Sequence, residues 1–428
     1  MINRIAIVEG LRTPIEKAGG KFNDLQADTL GSLVVKELVG RSQINKNEYD
    51  EVIVGNVASP AHAPNIAKII ASRAGFSFEI PSYTVNRNCA SGMEAITTAA
   101  NKINAGEAKI ILAASSESMS NAPLLFSKNF QNTLMRFSRA KRALDRIKIL
   151  NSLKFRDLKP VVALMKALKD PTINMNMGQT AEVLAKEFHI SREEQDEYAL
   201  LSHRRASIAS SSGVFKNEIV PVIYDDAKVL DYDDGIRRDQ NMSALNKLRA
   251  VFAKSHATVT AGNASQISDG AAAVSLMSES EAKKRGLHVL GYLREYIYTG
   301  VPADKMGLGP VYATAKVLKK AGLKFSDIEL IEMNEAFAAQ IIANEKAFNS
   351  KEFALKHLGL HEAIGEINRD ILNVNGGSIA MGHPVGMSGM RLVIHLLKEM
   401  RLRNLNTGLA TLCIGGGQGA ALILETNS

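Results

Sequence analysis

Only two cysteines occur among the 428 residues of this chain, Cys89 and Cys413. So few cysteines exclude the disulfide framework of a small secreted domain. Long apolar runs are also missing, since none approaches the roughly twenty residues that a helix needs to cross a bilayer. The amino-terminal residues form a short alternating apolar run without an extended hydrophobic region or a small-residue cleavage site, so we expect no secretory signal. These absences predict a cytoplasmic protein in which both thiols are reduced.

Charge is unevenly distributed in a chain whose composition is otherwise that of an ordinary globular protein, 46% apolar and 22% charged. The length predicts two or three domains with substantial cores. The formal net charge is +8, but residues 128–169 carry twelve Lys and Arg against Asp145 and Asp157, so the remainder of the chain carries −2. Any basic surface that binds a partner therefore belongs to that segment, and we expect no nucleic-acid binding.

Two parts of the chain repeat the same order of predicted elements. In each part a short strand is followed by an aspartate-led strand, then by a strand that ends in a small-residue turn before a helix, and lastly by a buried strand. An internal duplication of a unit rich in βαβ connections is the simplest explanation. The repeated strands are predicted at 4–8, 49–55 and 109–114 in the first part and at 288–294, 327–333 and 408–413 in the second.

A charged, helical segment at 121–244 interrupts the first of these parts. Within it, SREEQDEY is a capping sequence that predicts a helix beginning after Ser191. Strand-like residues and a glycine-rich turn resume at TVTAGNASQISDGAAAVSLM. We therefore predict two similar α/β domains packed on each other, residues 1–120 with 245–285 and residues 286–428, and an inserted loop domain at 121–244.

Cys89 lies where a predicted strand turns into a predicted helix. It follows the apolar run 83–85 and precedes the helical pattern at 93–103. This position is the positive end of the helix dipole, which favours the thiolate and therefore nucleophilic attack. Position alone is a weak signal, because a lone cysteine is more often a small buried apolar residue.

His383 and Cys413 lie in two glycine-rich segments of the second part. His383 is held between Gly382 and Pro384 in NVNGGSIAMGHPVGMSG, where the backbone can approach a ligand or another backbone closely. Histidine is the side chain best suited to take a proton from a thiol near neutral pH, although a lone histidine is more often a surface or satisfied core residue. Cys413 ends an apolar run and begins CIGGGQG, whose glycines leave amide groups free to face an anionic oxygen.

Four long motifs, NRNCASGMEAI, NEAFAAQ, NVNGGSIAMGHPVGMSG and CIGGGQGAA, occur in the order and at the separations of the thiolase signatures. TVTAGNASQISDGAAA and MGLGP fill the space between them, so the resemblance to the thiolase family covers essentially the whole chain. The resemblance implies a thiolase-like α/β fold, with two duplicated domains in a layered αβαβα arrangement and an inserted loop domain. It also implies an enzyme, an acyltransferase that acts on coenzyme A thioesters.

The resemblance assigns a role to each residue of the predicted active site. Cys89 matches the nucleophile that becomes acylated, and His383 matches the base that activates it and then polarises the thioester oxygen. Cys413 matches the acid/base that removes or returns the α-proton of the acetyl unit. Asn334 matches the residue that positions a water in one oxyanion hole, and the backbone amides of Cys89 and Gly415 match the other hole. Both cysteines of the chain thus fall on catalytic positions.

A second set of residues is expected to contact coenzyme A (CoA), mostly along its pantetheine arm. Asn176 stands where many thiolases carry a histidine beside a methionine of this set. The resemblance implies acyl-CoA and CoA as substrates, no metal or other cofactor, and a homo-oligomer, either a dimer or a tetramer. The residues expected to bind the substrates are Met177, Ala264, Ser265, Met306 and Phe337.

The direction of the reaction leaves alternatives open. The long basic insertion and the segment 345–370 resemble degradative thiolases, which cleave 3-ketoacyl-CoA with CoA in fatty-acid β-oxidation, and this is the main hypothesis. Asn334 disagrees with this assignment, because subunits of β-oxidation multienzymes more often have His at this position. The nearest alternative is a biosynthetic acetyl-CoA acetyltransferase. A non-catalytic CoA- or lipid-binding module is disfavoured by the presence of Cys89, His383 and Cys413 together.

The segment 124–168 alternates apolar residues with Lys and Arg at roughly helical spacing. One interpretation is an amphipathic surface that touches an anionic membrane or a partner subunit of a β-oxidation multienzyme. The commoner one is a solvated insertion whose apolar face packs on the protein. A third is attraction of the phosphates of CoA. The apolar residues of this pattern are Leu134, Phe137, Leu144, Ile147, Leu150 and Phe155.

Overall fold

The computed structural model describes residues 4–253 and 255–427. They form two compact units, of which the larger contains the residues up to Asn121 and from Asp170 onward, and the smaller is Ala122–Lys169. The division into two duplicated domains with a loop domain at 121–244 stays a prediction.

The described strands of the larger unit include a ten-stranded mixed sheet. Its order is β8-β9-β10-β7-β1-β6-β5-β3-β4, with β2 paired beside β6, so the strands of each half of the sequence lie together. Pairing is parallel for β3 with β4, β3 with β5 and β8 with β9, as βαβ connections require. Seven of the eight predicted strands are confirmed, with shifted bounds. The eighth, predicted in ILNVN of the second part, is not a strand, because only Leu372 pairs there, in an isolated parallel bridge with Ile331. The strands are β1 (Ile5–Arg12), β2 (Glu16–Lys17), β3 (Glu51–Gly55), β4 (Ser82–Val85), β5 (Ile110–Ser118), β6 (Ser268–Ser278), β7 (Gly291–Gly300), β8 (Leu330–Met333), β9 (Thr407–Ile414) and β10 (Gln418–Glu425).

The longer helices of the larger unit connect and cover these strands. The helix predicted to begin after Ser191 is confirmed, because the Ser191 hydroxyl accepts the N–H of Glu194 and the Glu194 carboxylate accepts the N–H of Ser191. Among the described helices, none has an apolar stretch long enough to span a lipid bilayer. The longer helices of the two units are α1 (Ala27–Arg41), α2 (Ile66–Arg73), α3 (Ser91–Asn104), α4 (Lys128–Arg139), α5 (Ala143–Asn151), α6 (Met177–Glu187), α7 (Arg192–Ser211), α8 (Gly309–Ala321), α9 (Ala338–Phe348) and α10 (Val385–Arg403).

The larger unit has three apolar cores, since the two halves of the sheet share a central one and each half has a further one on its other face. Successive strand residues face opposite sides of the sheet and so contribute to different cores. In β3, Val52 and Val54 pack in the core that contains α1 and α2, whereas Ile53 faces a central core. In β9, Leu409 and Cys413 pack in the core that contains α8 and α9. The central core holds α3 and α10 together with residues from the strands of both halves. The predicted layered αβαβα arrangement is therefore confirmed.

The smaller unit contains α4, α5 and the short strand pair Leu124–Leu125 with Val161–Val162. The Ser127 hydroxyl caps α4 by accepting the N–H of Phe130 at 3.1 Å. Few side chains are buried in these helices, since Thr133 is the buried residue of α4 and α5 has none. Most of the predicted apolar pattern is exposed to solvent. The exposed large apolar residues of this unit are Leu124, Leu125, Phe126, Leu134, Met135, Leu144, Ile147, Leu150, Phe155, Leu158, Val162 and Met165.

Candidate active site

Cys89 lies in the turn between β4 and α3, as the sequence predicts, and is partly exposed. Burial of the Cys89 thiol raises its pKa. Hydrogen bonds from the backbone amides of Gly415 and Cys89 lower the pKa, but by less than burial raises it. The position at the start of α3 is thus not enough to make Cys89 a thiolate, because desolvation of the charged form outweighs the donors. A thiol in this state needs a base before it can act as a nucleophile.

His383 directly precedes the first turn of α10, and its backbone N–H donates to the carbonyl of Gln266 at 3.0 Å. The ring Nδ1 lies 2.6 Å from the Ser388 hydroxyl, which donates its own proton to the Pro384 carbonyl at 3.0 Å. Because that proton is already used, Ser388 accepts from Nδ1–H and leaves Nε2 as the unprotonated nitrogen. Burial, with the nearby charge of Arg391, lowers the pKa of His383 to about 4. His383 is therefore a neutral base at neutral pH.

The turn that carries Cys89 and the segment that carries His383 lie near each other because α3 and α10 pack backbone against backbone at their amino-terminal ends. A Cβ atom at Gly92 would lie 2.8 Å from the Met390 nitrogen and 3.1 Å from the Gly386 carbonyl oxygen. A Cβ atom at Gly389 would lie 3.2 Å from the nitrogen of Met93. The glycines in CASGM and PVGMSG are thus needed for this close packing, which places the helix ends that carry the two reactive groups side by side.

Asn334 lies at the end of β8, where its backbone N–H donates to the Thr411 carbonyl of β9 at 3.0 Å. Its side-chain oxygen accepts a hydrogen bond from the Ser378 hydroxyl at 2.6 Å. This contact turns the amide nitrogen toward His383, 3.5 Å from Nε2. An amide N–H facing an unprotonated Nε2 agrees with the tautomer that Ser388 selects. At this separation the two side chains can donate to or accept from one substrate oxygen or one water.

Cys413 is buried near the end of β9, with 1% of its surface exposed. Burial raises the pKa of the Cys413 thiol far above its usual range, and the charge of a Cys89 thiolate would raise that pKa further. Cys413 is therefore a protonated thiol beside the nucleophile, suited to donate a proton. Beyond it, Gly416 and Gly417 have φ of +89° and +81° and form the turn between β9 and β10.

A buried carboxylate holds the segments around Asn334, and the sequence analysis did not identify it. Glu335 accepts hydrogen bonds from Tyr198 at 3.0 Å, from Ser202 at 2.6 Å, and from the backbone N–H of Ile379 at 3.2 Å. These bonds connect α7 and the short helix that contains Ser378 to the NEAF segment. Ser378, Ser388 and Glu335 all fall inside the recognised motifs, but their partners are set by the tertiary fold.

Ala264, Ser265 and Phe337, which are expected to bind CoA, lie together. Ala264 and Phe337 pair as an isolated antiparallel bridge, and the backbone N–H of Ser265 donates to the Ala336 carbonyl at 3.0 Å. The Phe337 ring meets Phe252 edge to face, with 6.2 Å between centroids. Phe252 was missed by the sequence analysis, because nothing in its local pattern distinguishes it from an ordinary core residue.

Met177 is the first residue of α6 and lies close to Gly415, since its sulfur would be 3.2 Å from a Cβ atom placed on that glycine. Asn176, in the place of the usual histidine, caps the same helix: its side chain accepts the N–H of Gln179 at 2.9 Å. Met306 is 3% exposed and lies in the core that contains Phe337.

Comparison with known proteins identifies the family of this chain. The family models for the thiolase N-terminal and C-terminal domains match residues 5–280 and 287–426. A 3-ketoacyl-CoA thiolase of Pseudoalteromonas translucida is 41% identical over 426 residues, which are 99% of this chain and 97% of that protein. The crystal structure of an acetyl-CoA acetyltransferase of Bacillus anthracis is 35% identical, with a TM-score of 0.87 over 100% of this chain and 99% of that one.

A further structure combines the fold with a bound ligand. It is human mitochondrial 3-ketoacyl-CoA thiolase in complex with CoA, 34% identical, with a TM-score of 0.86 over 100% of this chain and 98% of that one. Family models and relatives thus match nearly the whole length of the chain. The chain therefore belongs to the thiolase family.

Proposed function

We propose that this chain cleaves 3-ketoacyl-CoA with CoA, giving acetyl-CoA and a shortened acyl-CoA in fatty-acid β-oxidation. The observation that carries the proposal is the close packing of α3 on α10, whose ends carry Cys89 and His383, with the Cys413 thiol close enough to Cys89 to feel its charge. The printed names of the relatives, 3-ketoacyl-CoA thiolases, support the choice of substrate. CoA is a co-substrate here, and a cytoplasmic location belongs to the same proposal.

The first step forms the acyl-enzyme. Nε2 of His383 takes the proton of the Cys89 thiol as the sulfur attacks the ketone carbon of the substrate. The backbone amides of Cys89 and Gly415 donate to the resulting oxyanion. The bond between the α-carbon and the former ketone carbon then breaks, and its electron pair moves to the acetyl-CoA portion as an enolate.

The second step protonates that enolate. The side-chain amide of Asn334, directly or through a water, and the protonated Nε2 of His383 stabilise the enolate oxygen. Cys413 donates its proton to the α-carbon, which releases acetyl-CoA and leaves a Cys413 thiolate. A proton on Cys413 is what this step requires, and burial keeps it there because it raises the pKa of that thiol.

The third step returns the enzyme to its starting state. The thiol of a second CoA gives its proton to the Cys413 thiolate and attacks the acyl carbon held on Cys89. The shortened acyl-CoA leaves, and the Cys89 sulfur takes back the proton held by His383. Every proton is thereby accounted for, and no cofactor enters the scheme.

One alternative has a specific observation in its favour. The Bacillus anthracis neighbour is an acetyl-CoA acetyltransferase with the same fold, and the same three steps run backwards would condense two acetyl-CoA molecules. A non-catalytic CoA- or lipid-binding module is disfavoured, because such a module would need neither a base beside Cys89 nor a protonated thiol as an acid.

We expect CoA-dependent thiolysis of a long-chain 3-ketoacyl-CoA to be as fast as thiolysis of acetoacetyl-CoA, or faster. The measurement follows loss of the ketoacyl thioester at matched CoA concentrations, with the Cys89→Ala protein as the blank. Activity confined to acetoacetyl-CoA would favour the acetyltransferase instead. We also propose a homo-oligomer, which light scattering of the purified chain would size.

For the smaller unit we propose docking on an anionic lipid surface. Its exposed apolar side chains lie in a basic segment. Residues 128–169 contain twelve Lys and Arg and only two Asp. Apolar side chains can enter the headgroup region, while each basic residue near an anionic surface contributes about 1 kcal/mol. A partner subunit of a β-oxidation multienzyme is the competing occupant.

We expect the protein to co-sediment with vesicles of phosphatidylglycerol and phosphatidylcholine at low salt, and to be released as salt is raised. Replacement of Leu144, Ile147 and Leu150, which are exposed on α5, by Ser is expected to reduce the bound fraction several-fold. The matched control replaces Ile223 and Val229, exposed on a hairpin of the larger unit, and should bind like the unmodified protein. Absence of any binding to anionic vesicles at low salt would exclude the lipid surface and favour a partner subunit.

A further inference from the structure

The segment that supplies the Gly415 amide has little rigidity of its own. It is a turn of three consecutive glycines between β9 and β10, and Gly416 and Gly417 have φ of +89° and +81°. Glycine has the greatest conformational freedom of all residues, so such a turn does not hold an amide in one direction unless something outside it does. An oxyanion hole requires that direction before the reaction begins.

Two contacts from outside hold this turn: the backbone N–H of Val301 donates to the Gly417 carbonyl at 2.8 Å, and the side chain of Asn88 holds Gly415. Nδ2 of Asn88 donates a hydrogen bond of 2.8 Å to the carbonyl oxygen of Gly415. This links the residue before the nucleophile to the residue whose amide points at the Cys89 sulfur. One contact therefore joins the two segments that form the hole.

Asn88 is itself held firmly. Its backbone N–H donates to the Asn86 side chain at 2.9 Å, and its carbonyl accepts from the Ser91 hydroxyl at 2.7 Å and the Ser91 backbone N–H at 3.0 Å. Its φ is +45°, in the left-handed region that asparagine tolerates better than most residues. Asparagine at this position thus combines the required backbone conformation with a side-chain donor.

We propose that Asn88 is a positioning residue, which holds the glycine turn so that the Gly415 amide faces the oxyanion formed at Cys89. The inference rests on the proposed function, because it assigns the Gly415 amide to that oxyanion. It goes beyond that function because it makes the rate of every step through the Cys89 tetrahedral intermediate depend on a residue that transfers no proton and no acyl group. A residue that only forms the turn would contribute stability and nothing to these rates.

The test uses Asn88→Gly, which keeps the left-handed backbone and removes only the side chain. The matched control is Asn404→Gly, since Asn404 ends α10 with φ +56° and lies outside the site. We expect Asn88→Gly to lower kcat about 10- to 100-fold at nearly unchanged KM. Exchange of labelled CoA into acetyl-CoA should fall by the same factor, because it uses the same oxyanion hole. Asn404→Gly should match the unmodified protein.

A second readout does not depend on turnover. The Gly415 amide stabilises the Cys89 thiolate, so loosening it should raise the pKa of Cys89 further. The midpoint for alkylation of Cys89 by iodoacetamide should then move to higher pH in Asn88→Gly but not in Asn404→Gly. This measurement remains informative if the chain proves inactive toward 3-ketoacyl-CoA, so failure of the proposed function and failure of the inference can be told apart.

Asn88→Asp is the second variant, because aspartate also tolerates the left-handed conformation but its ionised side chain cannot donate to a carbonyl. We expect kinetic losses at least as large as those of Asn88→Gly. Normal kinetics and an unshifted alkylation profile in either variant would overturn the proposal and leave Asn88 as a turn residue only.

Discussion

Replacing Cys89 by Ala is expected to reduce thiolysis of acetoacetyl-CoA on the order of 10⁴-fold or more, the range seen when a catalytic nucleophile is removed. The acyl-enzyme cannot form without this sulfur, and Cys413, the other thiol of the chain, is buried and protonated. Exchange of labelled CoA into acetyl-CoA should disappear together with thiolysis. A stopped assay with radiolabelled acetyl-CoA would also show no acetyl group retained on the protein.

The control for this prediction is the fold of the variant, since its thermal midpoint should stay close to that of the unmodified protein. The side chain is partly exposed at a turn, so removing its sulfur leaves no large cavity. Near-normal turnover by a folded Cys89→Ala protein would contradict the assignment of the nucleophile and the mechanism built on it.

Replacing Cys413 by Ala is expected to separate the two halves of the reaction. Cleavage of the carbon–carbon bond needs a proton for the enolate, so thiolysis should fall on the order of 10²- to 10⁴-fold. Acetylation of Cys89 by acetyl-CoA needs no proton at the α-carbon, so labelled acetyl groups should still accumulate on the protein. Exchange of α-protons of acetyl-CoA with deuterated water, followed by NMR, should stop.

The matched comparison is Cys413→Ser, which keeps the volume near that of the thiol while replacing it by a much weaker acid. Both variants should accept an acetyl group and fail in cleavage. Loss of acetylation in both would mean that Cys413 supports the structure around Cys89, and its assignment as the acid would then be withdrawn.

Much of the fold follows from local patterns. Alternating and continuous apolar runs locate seven of the eight predicted strands, and the capping sequence at Ser191 locates the start of α7. Such signals work because side-chain periodicity and capping act within a few residues. The strand bounds were less accurate, as in β7, which begins at Gly291 and extends to Gly300 because its partner strand β10 continues that far.

The protonation states of the site could not be read from position along the chain. The helix terminus suggested a thiolate at Cys89, but burial, which depends on everything packed around the turn, raises the pKa of that thiol. The tautomer of His383 likewise depends on Ser388, whose own proton is directed to the Pro384 carbonyl. Desolvation and hydrogen-bond direction are properties of the assembled site.

The sequence by itself determined the family and the fold class, and it located the residues proposed to react, because all of these are carried by contiguous motifs in a fixed order along the chain. Only the tertiary structure decided how those groups work together. Close packing of α3 on α10 through Gly92 and Gly389 places base beside nucleophile, Ser378 orients Asn334, and Asn88 reaches across 327 positions of sequence to hold Gly415. Contacts of that separation are made by packing, which no local pattern encodes.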